Sequence, residues 1–148
     1  MYRKTKHLII AAAITFSIMG VSQAKENDNG KGCSVESLRG VYLFHASGFS
    51  IVGGVSQPKA IVELFRLDGD GKLTAGVATV SINGNIIHSP GTAPGAGGTY
   101  AVHSSCVGSL TFSTGPAFDF FVAKRSKLQM IQTNPNNVFQ GTAERLSD

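Results

Sequence analysis

Apolar and polar residues alternate in short runs from Gly40 to the end of the chain, which is the pattern of β-strands with one buried face. In the first run Tyr42 and Phe44 share a face, and in the second Glu63 shares a face with Phe65. The alternation predicts strands over residues 41–45, 60–67, 73–82, 85–88, 117–123, 127–133 and 138–145, with a two-stranded hairpin over 98–113 that turns at 104–108.

Turn sequences separate the predicted strands. Asn83-Gly84 is the strongest hairpin signal, and Asp68 to Gly71 supplies residues that tolerate positive φ. The glycine- and serine-rich residues 48–57 predict a loop or a loosely paired strand end. Residues 89–97 contain two prolines and three glycines, so they predict a surface loop. This loop is either a tolerated insertion or a lid over a site.

Helical pattern is confined to residues 34–38, a single turn that would plug or flank the sheet. Eight or nine short strands joined mostly by tight turns imply antiparallel neighbours. An antiparallel sheet of this size usually closes on itself, which removes its exposed edges. We therefore predict an all-β fold: a single antiparallel up-and-down β-barrel of about eight strands, with a β-sandwich as the alternative.

The first 24 residues have the features of a signal peptide. Three basic residues precede an apolar run over residues 8–19, and Ser22 and Ala24 are the small residues that signal peptidase reads. The run is shorter than the roughly 20 residues of a membrane-spanning helix. We predict cleavage before Lys25, no stable membrane insertion afterwards, a disordered lead-in over 25–32, and one domain over 33–148.

Removal of the signal peptide changes the charge of the chain. The chain has 13 Lys and Arg and nine Asp and Glu, and three of the basic residues lie before residue 25, which leaves a net charge of about +1. The remaining cationic cluster, Lys124, Arg125 and Lys127, lies at a predicted turn without interleaved aromatic residues. These features argue against a nucleic-acid partner.

The chain contains two cysteines, Cys33 and Cys106. In an exported chain, two cysteines indicate one disulfide in an oxidising compartment, so we predict a secreted or periplasmic protein. The bond would tie the start of the folded region to the middle of the chain. A thiol nucleophile is the alternative, but it needs a nearby base that the sequence does not place.

Several segments, taken in order, resemble a known group of proteins. The segments are Gly40 to Phe44, Leu67 to Leu73, Gly98 to Val102, Cys106 to Leu110, Ile131 to Pro135 and Gly141 to Ala143. They look like small exported bacterial proteins of uncharacterised function, which are similar in outline to allene oxide cyclase-like, calycin-type β-barrels. The resemblance covers about Cys33 to Arg145 and implies a barrel. The cyclases act on apolar substrates inside the barrel, but no catalytic motif of theirs matches residues here, so no site is carried over.

Glu63 is the one weak candidate for a catalytic residue. If its strand face lines the barrel, burial would raise the pKa of the carboxyl and make it a candidate acid, base or ligand anchor. If that face points outward near a rim, Glu63 would pair with a lysine. The outward arrangement is the commoner of the two.

The aromatic residues of the predicted interior indicate where a small molecule would bind. An eight-stranded barrel is just wide enough to be filled by side chains or to hold one small ligand. The predicted ligand-binding residues are Tyr42, Phe44, Glu63, Phe65, Tyr100 and Phe120.

The sequence predicts no cofactor and no metal site. His45, His88 and His103 have no local metal-ligand spacing. Asp68 and Asp70 have the first spacing of a calcium loop, but the residues that follow do not continue it.

These observations favour an exported small β-barrel that binds a small apolar molecule. The first alternative is a barrel isomerase or cyclase that uses Glu63 as acid or base. The second is a structural or partner-binding protein, for which an exposed apolar face would be the expected feature. The sequence does not set the oligomeric state.

Overall fold

The computed structural model describes residues 32–91 and 97–147, which form nine β-strands and one short 3-10 helix. The helix spans Glu36–Leu38, and the strands are β1 Gly40–Val52, β2 Val55–Leu67, β3 Lys72–Ile82, β4 Asn85–Ser89, β5 Gly98–Val102, β6 Val107–Phe112, β7 Ala117–Lys124, β8 Lys127–Gln132 and β9 Asn137–Ser147. The predicted signal peptide, most of the predicted lead-in, and residues 92–96 of the predicted 89–97 loop lie outside the described residues.

Eight of the strands form a closed antiparallel β-barrel. Around the barrel the order is β2, β1, β9, β8, β7, β6, β5 and β3, and β3 pairs with β2 to complete the ring. β4 pairs with the far half of β3 and lies outside the ring. The predicted single up-and-down barrel is therefore confirmed.

The hairpin of β1 and β2 is longer than the sequence predicts. The two strands stay in register from Gly40 opposite Leu67 to Val52 opposite Val55, so the predicted loop over 48–57 is wrong. The turn is Gly53-Gly54, where both residues have positive φ. Gly48 lies within β1, where a Cβ would collide with the carbonyl oxygen of Val138. Glycine here permits close approach of β1 to β9 and does not mark a loop.

The 3-10 helix closes one end of the barrel, in agreement with the helical turn predicted over residues 34–38. Leu38 is fully buried, and the Tyr42 hydroxyl donates a hydrogen bond to its carbonyl oxygen at 2.9 Å. The Tyr100 hydroxyl donates to the Val35 carbonyl at 2.9 Å and accepts from the Gly69 N–H at 2.9 Å. We call this end, with the helix and its hydrogen bonds, the closed end.

Arg145 joins three elements at the closed end. Its Nη2 donates to the Ser37 carbonyl at 2.6 Å, to the Arg125 carbonyl at 3.0 Å, and to the Tyr42 hydroxyl at 3.1 Å. The guanidinium also lies over the Tyr42 ring, 5.6 Å from its centroid. The 3-10 helix is thus fixed to β1 and β9 as well as to β5.

The middle of the barrel is a packed aromatic core. The Tyr42 and Phe65 rings stack with centroids 5.6 Å apart, and Phe44 meets Phe118 edge-on at 5.5 Å. Phe112 meets Phe65 edge-on at 6.2 Å. These separations are those of favourable aromatic contacts, so side chains fill this part of the interior.

The predicted Asn83-Gly84 turn is confirmed. Both residues have positive φ, 49° and 82°, which is the geometry of a two-residue type I′ hairpin turn.

Within residues 32–91 and 97–147, no helix has the length and apolar character needed to cross a membrane.

Candidate functional site at the open end

The end of the barrel opposite the 3-10 helix, here called the open end, carries polar side chains among its inward-facing residues. On β2, Lys59, Ile61 and Glu63 occupy the same face as the core residue Phe65. Their partners on β3 are Ile82, Val80 and Ala78, so the wall beside them is apolar. The open end therefore combines an apolar wall with two ionisable side chains.

Glu63 faces the interior, between Phe44 on β1 and Ala78 on β3. It is 9% exposed, and within residues 32–91 and 97–147 it makes no hydrogen bond or ion pair. Burial raises the pKa of its carboxyl to about 7. The predicted outward orientation with a lysine partner is therefore wrong. The inward face is set by the alternation that also buries Phe65.

The carboxyl oxygens of Glu63 still reach solvent. Among the described residues, every side-chain oxygen or nitrogen that is fully cut off from solvent has a hydrogen-bond partner. Since Glu63 has none there, its oxygens retain some solvent contact. Glu63 also lines a pocket of about 210 Å³, together with Leu43, Val62, Leu64, Val77, Ala78 and Thr79.

Lys59 lies nearer the mouth of the open end, four residues from Glu63 along β2. Its Nζ donates a hydrogen bond to Gln132 Oε1 at 3.1 Å and lies 4.3 Å from the centroid of the Phe139 ring. Burial lowers the pKa of Lys59. Four residues of strand separate the two α-carbons by about 13 Å, and within the described residues no ion pair joins Lys59 to Glu63.

The polar layer at the mouth continues onto β8 and the turn after it. Gln132 is buried and donates through Nε2 to Asn134 Oδ1 at 3.1 Å. Asn134 Oδ1 also accepts from the Ala117 N–H at 2.6 Å, and its Nδ2 donates to the Gly115 carbonyl at 3.0 Å. The mouth groups around Lys59 thus already have partners.

β3 leaves the barrel ring on the side of the open end. Among the described residues, Lys72 and Leu73 of β3 pair with β5, and the β3 residues from Ala78 to Ile82 pair with β4. Ile87 of β4, opposite Val80, is 53% exposed. The apolar wall beside Glu63 is consequently accessible from solvent and not packed like the aromatic core.

The predicted ligand-binding aromatics lie in the core. Tyr42, Phe44, Phe65, Tyr100 and Phe120 are each buried. The hydroxyls of Tyr42 and Tyr100 bind backbone carbonyls of the closed end. The ligand-binding role of these five residues stays a prediction, and Phe44 is the one directly opposite Glu63.

Two open-end residues were missed from the sequence. Lys59 immediately precedes the predicted strand 60–67, and extending that strand by one residue gives it the same face as Glu63. Gln132 alternates onto the face shared by Leu128 and Met130, which the structure buries. The contact between Lys59 and Gln132 joins residues 73 positions apart, so no local signal indicates it.

The other candidate sites do not assemble. His45, His88 and His103 are exposed, and within the described ranges no group of three metal-binding side chains converges. Asp68 Oδ1 accepts from the N–H groups of Asp70 and Lys72, and these bonds hold the pKa of Asp68 below its usual value. Asp68 therefore stabilises its own turn.

The predicted disulfide between Cys33 and Cys106 is confirmed, with a Cα–Cα distance of 5.0 Å. Cys106 lies in the turn between β5 and β6 and has a φ of 64°. The bond therefore fixes the chain just before the 3-10 helix to the closed end of the barrel.

A separate depression of about 710 Å³ lies against the outer surface of β1, β2, β7, β8 and β9. Its lining residues include His45 but no Asp, Glu, Lys or Arg, and its large exposed apolar side chains are Val62, Phe121 and Ile131. These three side chains lie on the outer faces of their strands, and Ala46, Ile61 and Met130 of the inward faces also contribute to the lining.

The fold and this site define a class: a small closed antiparallel β-barrel with a plugged end and an open end that holds a buried carboxyl. Comparison of the chain with known protein families, with curated proteins and with solved structures finds no match to any of them. The resemblance to allene oxide cyclase-like barrels stays a prediction.

Proposed function

We propose that this protein is an exported binding barrel that holds a small, mainly apolar molecule at its open end. The observation that carries the proposal is Glu63, an inward-facing carboxyl without a hydrogen-bond partner among the described residues. A largely buried carboxyl that solvent still reaches, and that no protein group engages, is a candidate functional group.

The surroundings of Glu63 support an apolar ligand. Ile61, Val80 and Ile82 share its face and are only half-buried, so a bound molecule would cover apolar surface there. The mouth groups Lys59 and Gln132 lie where such a molecule would meet water. Apolar walls with a few placed polar groups are typical of small-molecule sites.

The disulfide supports the proposed compartment. A bond between Cys33 and Cys106 persists in oxidising surroundings such as the periplasm or the extracellular medium. The predicted signal peptide, residues 1–24, would deliver the chain there.

A pair of adjacent substitutions on β3 tests the site. Val80→Trp places an indole on the inner wall opposite Ile61, whereas Thr79→Trp places it on the outer surface. Native mass spectrometry of protein purified from the exported fraction should show one carried-over small molecule on the native chain and on Thr79→Trp, and none on Val80→Trp. The native chain carrying no molecule, or both variants losing it equally, would count against the proposed function.

Glu63 also supports the enzymatic alternative. A carboxyl with a pKa of about 7 gives and takes protons near neutral pH, as a general acid or base of an isomerase or cyclase would. This alternative predicts that the carried-over molecule is converted to an isomer on incubation with the native chain, and that Glu63→Gln stops the conversion.

A further inference from the structure

We propose that the ligand of the open end carries a protonated amine on a short apolar body, and that Glu63 is the residue that selects it. This inference rests on the proposed function, because it names the chemistry of the same site. It predicts a preference for organic ammonium cations over neutral alcohols and over carboxylates.

The first argument is the state of the other inward polar groups. The hydroxyls of Tyr42 and Tyr100, the ammonium of Lys59 and the amide of Gln132 all have partners within the described residues. Glu63 alone among these inward groups has none. In the free protein solvent contacts its oxygens, so a donor on a bound molecule would replace water there.

The second argument is the chemistry of a carboxylate. An ionised carboxyl is an acceptor only, so its partner must be a hydrogen-bond donor. An ammonium group supplies up to three donors and a positive charge, and the low dielectric of a partly buried site strengthens that attraction. An alcohol supplies one donor and no charge, and a carboxylate ligand would bring like charges together.

The inward side chains nearest Glu63 on the neighbouring strands are apolar. Its neighbours on β1 and β3 are Phe44 and Ala78. Across the barrel the inward residues of the middle layer are apolar: Leu110, Phe112, Phe118, Phe120, Met130 and Ala143. Among the described residues, the other inward ionisable groups are Lys59 at the mouth and, at the closed end, the hydrogen-bonded Tyr42, Tyr100 and Arg145.

Lys59 does not make the site selective for anions. Its ammonium is already engaged by Gln132 and by the Phe139 ring, and it lies about 13 Å of strand away from Glu63. An anion held by Lys59 would sit at the mouth and leave the buried carboxyl without a partner.

Three probes of equal chain length test the preference: hexylamine, 1-hexanol and hexanoate, titrated at pH 8 by calorimetry and by amide NMR shifts. The difference between a charged and a neutral hydrogen bond corresponds to about tenfold in affinity, so hexylamine should bind about tenfold tighter than 1-hexanol. Hexanoate should bind most weakly. Glu63→Gln should remove the advantage of hexylamine and leave 1-hexanol unchanged. Glu144→Gln, which removes an exposed carboxyl on β9, should change none of the three affinities.

A pH series on the native chain gives a second readout that needs no variant. Because Glu63 must be ionised to hold the ammonium, hexylamine affinity should fall about tenfold from pH 8 to pH 6, whereas 1-hexanol affinity should not change. This readout keeps the inference testable if Glu63→Gln does not fold.

The outcomes separate this inference from the proposed function. The amine preference is overturned if the three probes bind with equal affinity, or if hexanoate binds best and loses affinity in Lys59→Met. Either result would still support the proposed function of binding a small molecule. If none of the probes produces shifts at open-end residues and no molecule is carried over from the exported fraction, both are overturned.

Discussion

Removing the disulfide is expected to lower the free energy of unfolding by about 4 kcal/mol, the largest effect of any change considered for this chain. Cys33 and Cys106 are 73 residues apart, so the bond restricts a long loop in the unfolded chain. In the folded chain it also fixes the segment just before the 3-10 helix. A loss of this size is a large part of the total stability of a domain of this length.

Urea unfolding of the Cys33→Ser/Cys106→Ser double variant, followed by far-ultraviolet circular dichroism, measures the effect. Adding reductant to the native chain should produce the same shift in midpoint, and adding it to the variant should produce none. A native chain whose midpoint is insensitive to reductant, with its thiols shown to be free, would contradict the role assigned to the disulfide.

Glu63→Gln is expected to stabilise the protein at pH 8 by up to about 3 kcal/mol, and to leave its stability unchanged at pH 4. The folded pKa of Glu63 is raised from 4.5 to about 7. Below pH 4.5 the carboxyl is protonated in both states and glutamine mimics it. Between pH 4.5 and pH 7 the unfolded chain ionises first, so the native protein loses stability as the pH rises, and the amide variant does not.

The measurement is the free energy of unfolding of both chains at pH 4, 6 and 8. Glu144→Gln is the matched control, because Glu144 is exposed and its pKa is lowered by the hydrogen bond and charge of Lys127. The contradicting result is a difference in the free energy of unfolding between Glu63→Gln and the native chain that is the same at all three pH values. It would show that the Glu63 carboxyl is not desolvated in the fold.

Much of the barrel follows from local sequence. Strict alternation places Tyr42 and Phe44, or Phe118 and Phe120, on one face, and that face is buried in the structure. Asn83-Gly84 sets its own hairpin turn through positive φ. These features depend on neighbours in the chain, which is why sequence patterns predict them.

Sequence patterns do not predict the roles of residues that are set by contacts with strands distant in the chain. Gly48 indicated a loop, but it is glycine because β9 passes against β1 at that point. Alternation placed Glu63 on the face of Phe65, yet which face lines the barrel is decided by closure of the whole ring. The Lys59 contact with Gln132 arises only when β2 and β8 meet across the interior.

The central claim is that the open end holds a largely buried carboxyl that binds an ammonium group. The most direct test follows the carboxyl carbon resonance of Glu63 by carbon-13 NMR through a pH titration. We expect a midpoint of about 7 in the free protein and a lower midpoint once hexylamine is added. A midpoint near the ordinary 4.5 in the free protein, unmoved by hexylamine, would contradict the account.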